Sequence, residues 1–473
     1  MVQKFIEASI FGQVHPHTVS SSLLTTHSSF LSMFSNVTRS ERKASATPTS
    51  PRSAMQLSEF SVEGLFGKYS HKVAFPTSSE EISSPSITII HGANGIGKTT
   101  VLKMLTAMMN FRFLVLKEIP FKESTLRFDN RRKLHVKRSS DKFEISFAGE
   151  SIVYPIADTP PSEDEKSRYA SLRKKFVSAT AGITLTFLPA DRLRFLGPDP
   201  DFGPFSPDDE RNRRYPTSYI AEMRERDRER ATEFLSRQVR SFIREALFDS
   251  RQFFGSGEPD LFGRVIQNLR DIHDTIPSRE EVAHELSQVS DLDKLHKRLG
   301  LPIDQWDYKQ LTTALYDERG KKSNEHVLVA INTYVEFLSS RANARQLIAE
   351  RLVTFEEVMC SFLEDKNVTV NAKTGILIKD SVTGVHLNES QLSSGEYQLL
   401  FLMVSALTTR RRGTVIAIDE PELSMHISWQ RRLVSNLLRC ASRAAPQLII
   451  ATHSPDILGD YQENMTELTS KGA

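Results

Sequence analysis

Hydrophobic and polar residues alternate in two short stretches near the start of the globular part of the chain. Phe60 and Val62 lie in the first stretch, Val73 and Phe75 lie in the second, and Gly67 lies between them. Alternation with a period of two is typical of a strand that buries one face. The pattern therefore predicts two strands joined by a turn.

Continuous hydrophobic runs predict buried strands at residues 87–90, 183–188, 415–418 and 448–451. The first run is followed by glycines and then by apolar residues at helical spacing from Val101 to Met109. A strand, a glycine-rich loop and a helix in this order indicate an α/β unit.

The middle of the chain has a different pattern. Five prolines between residues 196 and 216 predict a boundary loop, and apolar residues then recur every three or four positions in 220–247, 282–299 and 327–363. These repeats predict helices, and a packed helical subdomain is favoured over a long coiled coil because the heptads are not sustained.

The first 54 residues differ from the rest. Residues 15–54 contain 17 Ser or Thr, and Glu41 is their only acidic residue. Such a segment has little apolar surface to offset its ordering entropy, so disorder is expected. It could be an extension upstream of a start at Met55, a disordered tail, or an organelle transit peptide.

Composition narrows the class of protein. The chain has 473 residues with a formal net charge of +2, which argues against a polybasic protein. Its two cysteines, Cys360 and Cys440, lack CxxC spacing, so a reduced, cytoplasmic setting is expected. The longest strongly apolar stretch, Leu399–Leu407, is too short for a membrane span.

Residues 92–99 read GANGIGKT and fit the phosphate-binding pattern GxxxxGK[ST]. The glycines allow backbone N–H groups to surround phosphate oxygens at a helix N-terminus. Lys98 would reach the β- and γ-phosphates of ATP, and the Thr99 hydroxyl would bind Mg²⁺. The candidate nucleotide-binding residues in this loop are Gly92, Asn94, Gly95, Gly97, Lys98, Thr99 and Thr100.

Two carboxylates follow the hydrophobic run 415–418. Asp419 and Glu420 would lie at the carboxyl edge of the sheet, where ligands of open α/β sheets bind. Asp419 is predicted to hold magnesium through water, and Glu420 is predicted to act as the general base for the attacking water.

Two further motifs, at residues 393–395 and at His453, are more informative when their order along the chain is considered. Ser393, Ser394 and Gly395 precede a hydrophobic helix and could form an anion site, although the motif taken alone favours an ordinary N-cap at Ser393. His453 follows the last buried run, where a single histidine could be structural or catalytic.

The four motifs, in this order, resemble a soluble ABC-type ATPase of the AAA group that includes Rad50/SMC, RecF and the overcoming-lysogenization-defect family. The resemblance implies a Walker A loop at 92–99, a signature at 393–396 and Walker B residues Asp419 and Glu420. It also implies a D-loop at 422–426 and His453 as the switch histidine. In that family two subunits meet head to tail on ATP, so Ser393 and Gly395 would touch the γ-phosphate held by the partner subunit.

A narrower likeness concerns residues 420–430 and 451–455, which resemble ATP-binding proteins of bacterial anti-phage systems, such as Septu-like and retron-associated ATPases. This resemblance implies an ATP-fuelled sensor or scaffold that works with a separate effector chain, a nuclease being one candidate. Nucleic acid is a further candidate partner, through basic clusters at 131–138 and 410–412.

The chain departs from the family pattern in places. A Q-loop glutamine is not identifiable, and Asp191 or Arg192 could occupy that region. The signature has one glycine where transporters have two. Tyr69 is one candidate among several for stacking on adenine.

Other functions stay open as alternatives. A transporter subunit is disfavoured by the long charged helical stretch between Thr99 and Ser393. An overcoming-lysogenization-defect nuclease would need a metal-binding domain after His453, where few residues follow. A DNA-maintenance ATPase of RecF/Rad50 type and a weakly hydrolysing ATP-dependent clamp are both compatible with the motifs.

The predicted fold is therefore α/β, an ABC-type P-loop NTPase with a mixed sheet interrupted by a mainly helical insertion. The predicted organisation is a disordered extension (1–54), an N-terminal ATPase part (55–200), the insertion (201–365) and a C-terminal ATPase part (366–473).

Overall fold

The structure is a computed structural model of the chain. It describes residues 55–77, 85–156, 162–180, 183–190, 233–249, 261–270, 277–303, 307–316, 324–387, 391–410, 413–442 and 444–469. The predicted extension, the proline-rich loop and the Q-loop candidates Asp191 and Arg192 lie outside these ranges.

The strands of the described residues are numbered in chain order. They are β1 (Leu57–Leu65), β2 (Tyr69–Ala74), β3 (Ser86–His91), β4 (Glu123–Phe128), β5 (Lys133–Arg138), β6 (Lys142–Phe147), β7 (Glu150–Pro155), β8 (Leu185–Leu188), β9 (Lys366–Asn371), β10 (Gly375–Asp380), β11 (Val415–Asp419), β12 (Gln447–Thr452) and β13 (Met465–Glu467).

The helices are numbered in the same way. They are α1 (Lys98–Met109), α2 (Glu163–Ala179), α3 (233–249), α4 (Leu261–Arg270), α5 (Arg279–Arg298), α6 (Tyr308–Tyr316), α7 (Asn324–Phe362), α8 (Ser394–Leu407), α9 (Ile427–Cys440) and α10 (Pro455–Leu458). Short 3₁₀ segments occupy Phe113–Glu118 and Gly459–Asn464.

Six strands form an antiparallel sheet in the order β2-β1-β4-β5-β6-β7. The alternating residues of β1 place Leu57, Phe60, Val62 and Leu65 on its buried side. These residues belong to one hydrophobic cluster with apolar residues of α1. Burying such a side chain contributes roughly 1.5–3 kcal/mol, so the sheet and the helix stabilise each other.

Five strands form a parallel sheet in the order β13-β3-β12-β11-β8. Every residue of β11 and β12 is buried, as expected for a parallel sheet covered on both faces. Val415 and Ala417 pack into the cluster that contains α1, whereas Ile416 and Ile418 pack into a second cluster with residues of α8 and α9. Helices therefore cover both faces of this sheet.

The predicted α/β class is confirmed, and residues 92–97 connect β3 to α1 as predicted for a P-loop fold. Within the described residues the parallel strands form one sheet, and the antiparallel strands form two others, of six strands and of two (β9 and β10). This arrangement brings the carboxyl ends of β3, β12 and β11 to one edge, although β11 and β12 are far from β3 in sequence.

The described residues between β8 and β9 are helical, apart from the connecting loops. A capping box of Ser278 and Glu281 begins α5, and Gly300 follows its end with a φ of 69°. The 39-residue α7 packs against α5 and leads into β9 and its antiparallel partner β10. The helix α7 thus connects the helical part of the chain to the strands that precede α8.

Candidate functional site

The glycine loop turns sharply between β3 and α1. Gly97 is the N-cap of α1 with a φ of 101°, and Gly95 has a φ of 81°. A Cβ on Gly97 would lie 3.0 Å from the Leu65 side chain, so both backbone conformation and space favour glycine there. The loop residues Ala93, Asn94 and Gly95 are exposed at the surface.

The side chain of Lys98 lies over this loop. Its Nζ donates hydrogen bonds to the carbonyl oxygens of Gly92 (2.8 Å) and Ala93 (3.3 Å). Lys98 is only 5% exposed, so the carbonyl oxygens of the loop, rather than bulk water, stabilise its charge. The next residues, Thr99 and Thr100, are half-buried in the first turn of α1.

Thr99 connects the glycine loop to the end of β11. Its hydroxyl donates a 3.0 Å hydrogen bond to Oδ1 of Asp419, which is 2% exposed. The parallel order β3-β12-β11 brings these two residues together at the carboxyl edge of the sheet. A hydroxyl and a carboxylate at one point form an oxygen donor set of the kind that Mg²⁺ binds.

Glu420 follows Asp419 in an unusual backbone conformation. Its φ is 43°, and its backbone N–H donates to the carbonyl oxygen of Ala451 at 2.8 Å. Left-handed backbone is uncommon for a residue other than glycine, and such strain is frequent where a side chain must be aimed at a site. Oε1 of Glu420 lies 3.9 Å from Nδ1 of His453, which follows β12.

Ser393, Ser394 and Gly395 begin α8. Ser393 is the N-cap, with its hydroxyl accepting from the Glu396 N–H, and the Glu396 side chain accepts from the Ser393 N–H. Glu396 also forms an ion pair of 2.7 Å with Lys366, the first residue of β9. The capping interpretation of Ser393 is therefore correct, and it leaves the exposed Ser394 at the first helical position.

Gly395 packs against the segment that follows β11. A Cβ on Gly395 would lie 2.2 Å from the carbonyl oxygen of Ser424, a residue with a φ of 61°. Only glycine allows the two backbones to approach so closely. The contacts of the predicted signature therefore run to Lys366 and Ser424 within this chain.

Two residues near the site were given no individual role from the sequence, although Glu422 lies in the predicted D-loop at 422–426. His71 is buried on β2, and its Nε2 lies 2.9 Å from the carbonyl oxygen of Ile96 in the glycine loop. Burial lowers the pKa of His71, although the hydrogen bond to Ile96 partly opposes this shift. Glu422 is buried beside His453. The signal for His71 in the sequence was only a polar residue next to a predicted strand, whereas Glu422 was signalled by the implied D-loop.

Tyr69, the candidate for stacking on adenine, lies on β2 beside His71. The two rings stack at 5.7 Å with an interplanar angle of 15°, and Nζ of Lys68 is 5.0 Å from the tyrosine ring. These contacts place Tyr69 close to the glycine loop, and its role toward adenine stays a prediction.

The basic clusters contain arginines that have partners inside the protein. Arg410 pairs with Glu245 and Asp249 of α3, whereas Arg411 and Arg412 lie outside the described residues. Arg138 donates to the carbonyl oxygens of Leu116 (3.0 Å) and Lys117 (2.8 Å). Arg410 and Arg138 bridge loops and helices of the same chain. Their contacts therefore do not support a role in nucleic-acid binding.

Both cysteines are free thiols. Burial raises the pKa of the Cys440 thiol to about 12, which makes it unreactive. Each helix in the described part of the chain is too short or too polar to cross a bilayer.

The protein family described as "AAA domain, putative AbiEii toxin, Type IV TA system" matches residues 87–459, well over half of the chain. Comparison with curated proteins gives no match.

Among solved structures, the chain is similar to three SMC head domains. The Smc head with an extended coiled coil from Pyrococcus furiosus, solved bound to the C-terminal domain of ScpA, has a TM-score of 0.37 and 11% identity, covering 88% of this chain and 94% of that chain. The Smc head with a coiled coil and joint from Pyrococcus yayanosii has a TM-score of 0.36 and 11% identity, covering 88% of this chain and 96% of that chain. The SMC head from Thermotoga maritima has a TM-score of 0.31 and 10% identity, covering 88% of this chain and 95% of that chain.

Proposed function

The chain belongs to this AAA domain family, and from that premise we propose that it is a cytoplasmic ABC-type ATPase that hydrolyses ATP to ADP and phosphate. The observation that carries the proposal is the hydrogen bond between Thr99 and Asp419. It joins the end of the phosphate-binding loop to a buried carboxylate, which is the arrangement that a magnesium–nucleotide site requires.

The residues around this hydrogen bond fit a magnesium ion. The Thr99 hydroxyl and the Asp419 carboxylate are hard oxygen ligands, 3.0 Å apart. Thr99 would bind the ion directly, and Asp419 would hold it through water. When bound, Mg²⁺ would neutralise charge on the phosphates.

The chain's own residues supply the rest of the mechanism. Backbone N–H groups of the glycine loop and Nζ of Lys98 would bind the phosphates, with Asn94, Gly95, Gly97 and Thr100 as further contacts. Glu420 would accept the proton of the attacking water as general base. His453, 3.9 Å from Glu420, would contact the terminal phosphate.

We propose that ATP joins two copies of this chain head to tail, with Ser393, Ser394 and Gly395 of one copy at the γ-phosphate held by the other. The exposure of Ser394 at the start of α8 supports this proposal, because a helix N-terminus attracts anions. The ion pair from Lys366 to Glu396 connects α8, through β9, to the long α7. The helical residues within 201–365 would thus sense a partner and transmit its binding to the signature.

The cellular role that we propose is to drive a separate effector, such as a nuclease, in anti-phage defence. The family description refers to a type IV toxin–antitoxin system, which supports a role in which this chain acts together with a second component. The motifs at 420–430 and 451–455 support the same role by their likeness to anti-phage ATPases. DNA maintenance of the RecF/Rad50 type would use the same ATP site and is the alternative.

The dimer can be tested by light scattering with MgATP. Glu420→Gln should bind ATP without hydrolysing it, and should form a species of twice the 53.5 kDa chain mass. Ser394→Arg keeps the Ser393 cap and should bind ATP as a monomer, whereas Lys98→Ala should not bind. A monomeric Glu420→Gln with bound ATP, or a dimeric Ser394→Arg, would contradict the proposed assembly.

A further inference from the structure

The carboxylate of Glu422 connects the turns that follow β11 and β12. Its Oε1 accepts hydrogen bonds from the Thr452 hydroxyl (2.6 Å), the His453 N–H (3.0 Å) and the Ser454 N–H (3.2 Å). The side chain of Glu422 is only 5% exposed. These three donors fix the position of the carboxylate at the edge of the parallel sheet.

The same oxygen faces the ring of His453. Nδ1 of His453 lies 3.2 Å from Oε1 of Glu422, compared with 3.9 Å from Oε1 of Glu420. The backbone and the ring of His453 thus both approach one atom. The ring is 44% exposed, so its outer part remains accessible to a ligand.

The hydrogen bonds alone do not explain a carboxylate at this position. All three donors use Oε1, and Oε2 is buried with no hydrogen-bond partner among the described residues. A glutamine oxygen could accept the same three bonds, and it would avoid the cost of burying a charge. The charge has one evident counterpart, the imidazole of His453.

We propose that Glu422 is a positioning residue for His453. Its carboxylate holds the imidazole with the proton on Nδ1 and directs Nε2 to the ligand. When Nε2 also carries a proton toward an anionic phosphate, the ring is a cation and Glu422 is the anion that balances it. This inference rests on the proposed function in one respect, that His453 contacts the terminal phosphate.

The first test reads the tautomer of His453 directly by ¹⁵N NMR of histidine-labelled protein. The His453 signals are identified by their loss in His453→Gln. The wild-type ring should carry its proton on Nδ1, and Glu422→Gln should shift the ring toward the Nε2–H form. An unchanged tautomer in Glu422→Gln would overturn the proposal, whether or not the protein hydrolyses ATP.

The second test is a double-mutant cycle on ATP hydrolysis. Glu422→Gln should lower kcat by about 10- to 100-fold, the usual effect of losing a partner that orients a site residue, with KM nearly unchanged. In a His453→Ala background, the same change should have little further effect. Equal losses in both backgrounds would show that Glu422 acts independently of His453.

One control variant and one result with the wild-type protein separate this role from the general effect of replacing a glutamate and from the proposed function. Glu463→Gln changes an exposed glutamate that follows α10, and it should leave kcat and the NMR spectrum unchanged. If the wild-type protein does not hydrolyse ATP, the proposed function fails, while the NMR result still decides the role of Glu422.

Discussion

The hydroxyl of Thr99 donates a 3.0 Å hydrogen bond to the carboxylate of Asp419, a residue 320 positions later in the chain. Asp419 is the last residue of β11, and Thr99 is in the first turn of α1. The strand β3 pairs with β12, and β12 pairs with β11, so all three must be in place for these residues to meet. The contact therefore depends on the order β3-β12-β11 in the parallel sheet.

Removing the Thr99 hydroxyl should impair magnesium-dependent hydrolysis. Thr99→Val preserves the shape of the side chain but removes one oxygen ligand, so activity should fall by at least about tenfold, the lower end for lost metal-site partners. The magnesium concentration needed for half-maximal activity should rise. Thr99→Ser keeps the hydroxyl and should retain most activity; a Thr99→Val enzyme with normal magnesium dependence would refute the assignment.

Gly395→Ala should destabilise the protein. The added methyl would lie 2.2 Å from the Ser424 carbonyl oxygen, and relieving such overpacking costs about 1–3 kcal/mol. Alanine gains about 1 kcal/mol in helix propensity, so the expected net loss is up to about 2 kcal/mol. Ser394→Ala on the exposed side of α8 is the matched control. Chemical denaturation measures both variants, and a Gly395→Ala protein as stable as wild type would contradict the close approach.

His71 should make stability dependent on pH. Because burial lowers its pKa, the folded protein resists protonation at pH values where the unfolded chain takes up a proton. The free energy of unfolding should therefore fall as pH drops below the ordinary histidine value of 6.5. His71→Gln keeps an N–H donor for Ile96 but does not titrate.

The comparison is between denaturation curves of wild type and His71→Gln from about pH 7.5 to 5.5, a window that spans the ordinary histidine pKa. Wild type should lose more stability over this window than His71→Gln. Equal losses in the two proteins would show that His71 does not contribute to the pH dependence.

Local patterns predicted several of the buried strands. The alternation around Phe60 and Val73 predicted β1 and β2, because a strand with one buried face has a period of two. The continuous apolar run before Gly92 predicted β3, because a strand covered on both faces is apolar throughout. The helix α2 was not predicted, since only Leu172 and Phe176 of its 17 residues are buried. With so few buried residues, the sequence of α2 shows no clear repeat of apolar positions at helical spacing.

The candidate site was predictable where a motif specifies the chemistry. The meeting of the glycine loop with Asp419 was predictable because a glycine loop and an acidic strand end have recognisable residue patterns, and the roles of Lys98, Thr99 and Asp419 stay predictions. The position of His71 and the contacts of Glu422 with residues 452–454 were not predicted, because each contact is formed by segments distant in sequence. Spacing along the chain carries no information about such contacts.

The most direct test of the account is the rate of phosphate release from ATP by wild type and Glu420→Gln, with ATP affinity measured in parallel. The wild-type protein should hydrolyse ATP, and Glu420→Gln should be slower by about 10²- to 10⁴-fold, the contribution of a positioned general base, while binding ATP as tightly. A wild-type protein that binds but does not hydrolyse ATP, or a Glu420→Gln protein with unchanged turnover, would contradict it.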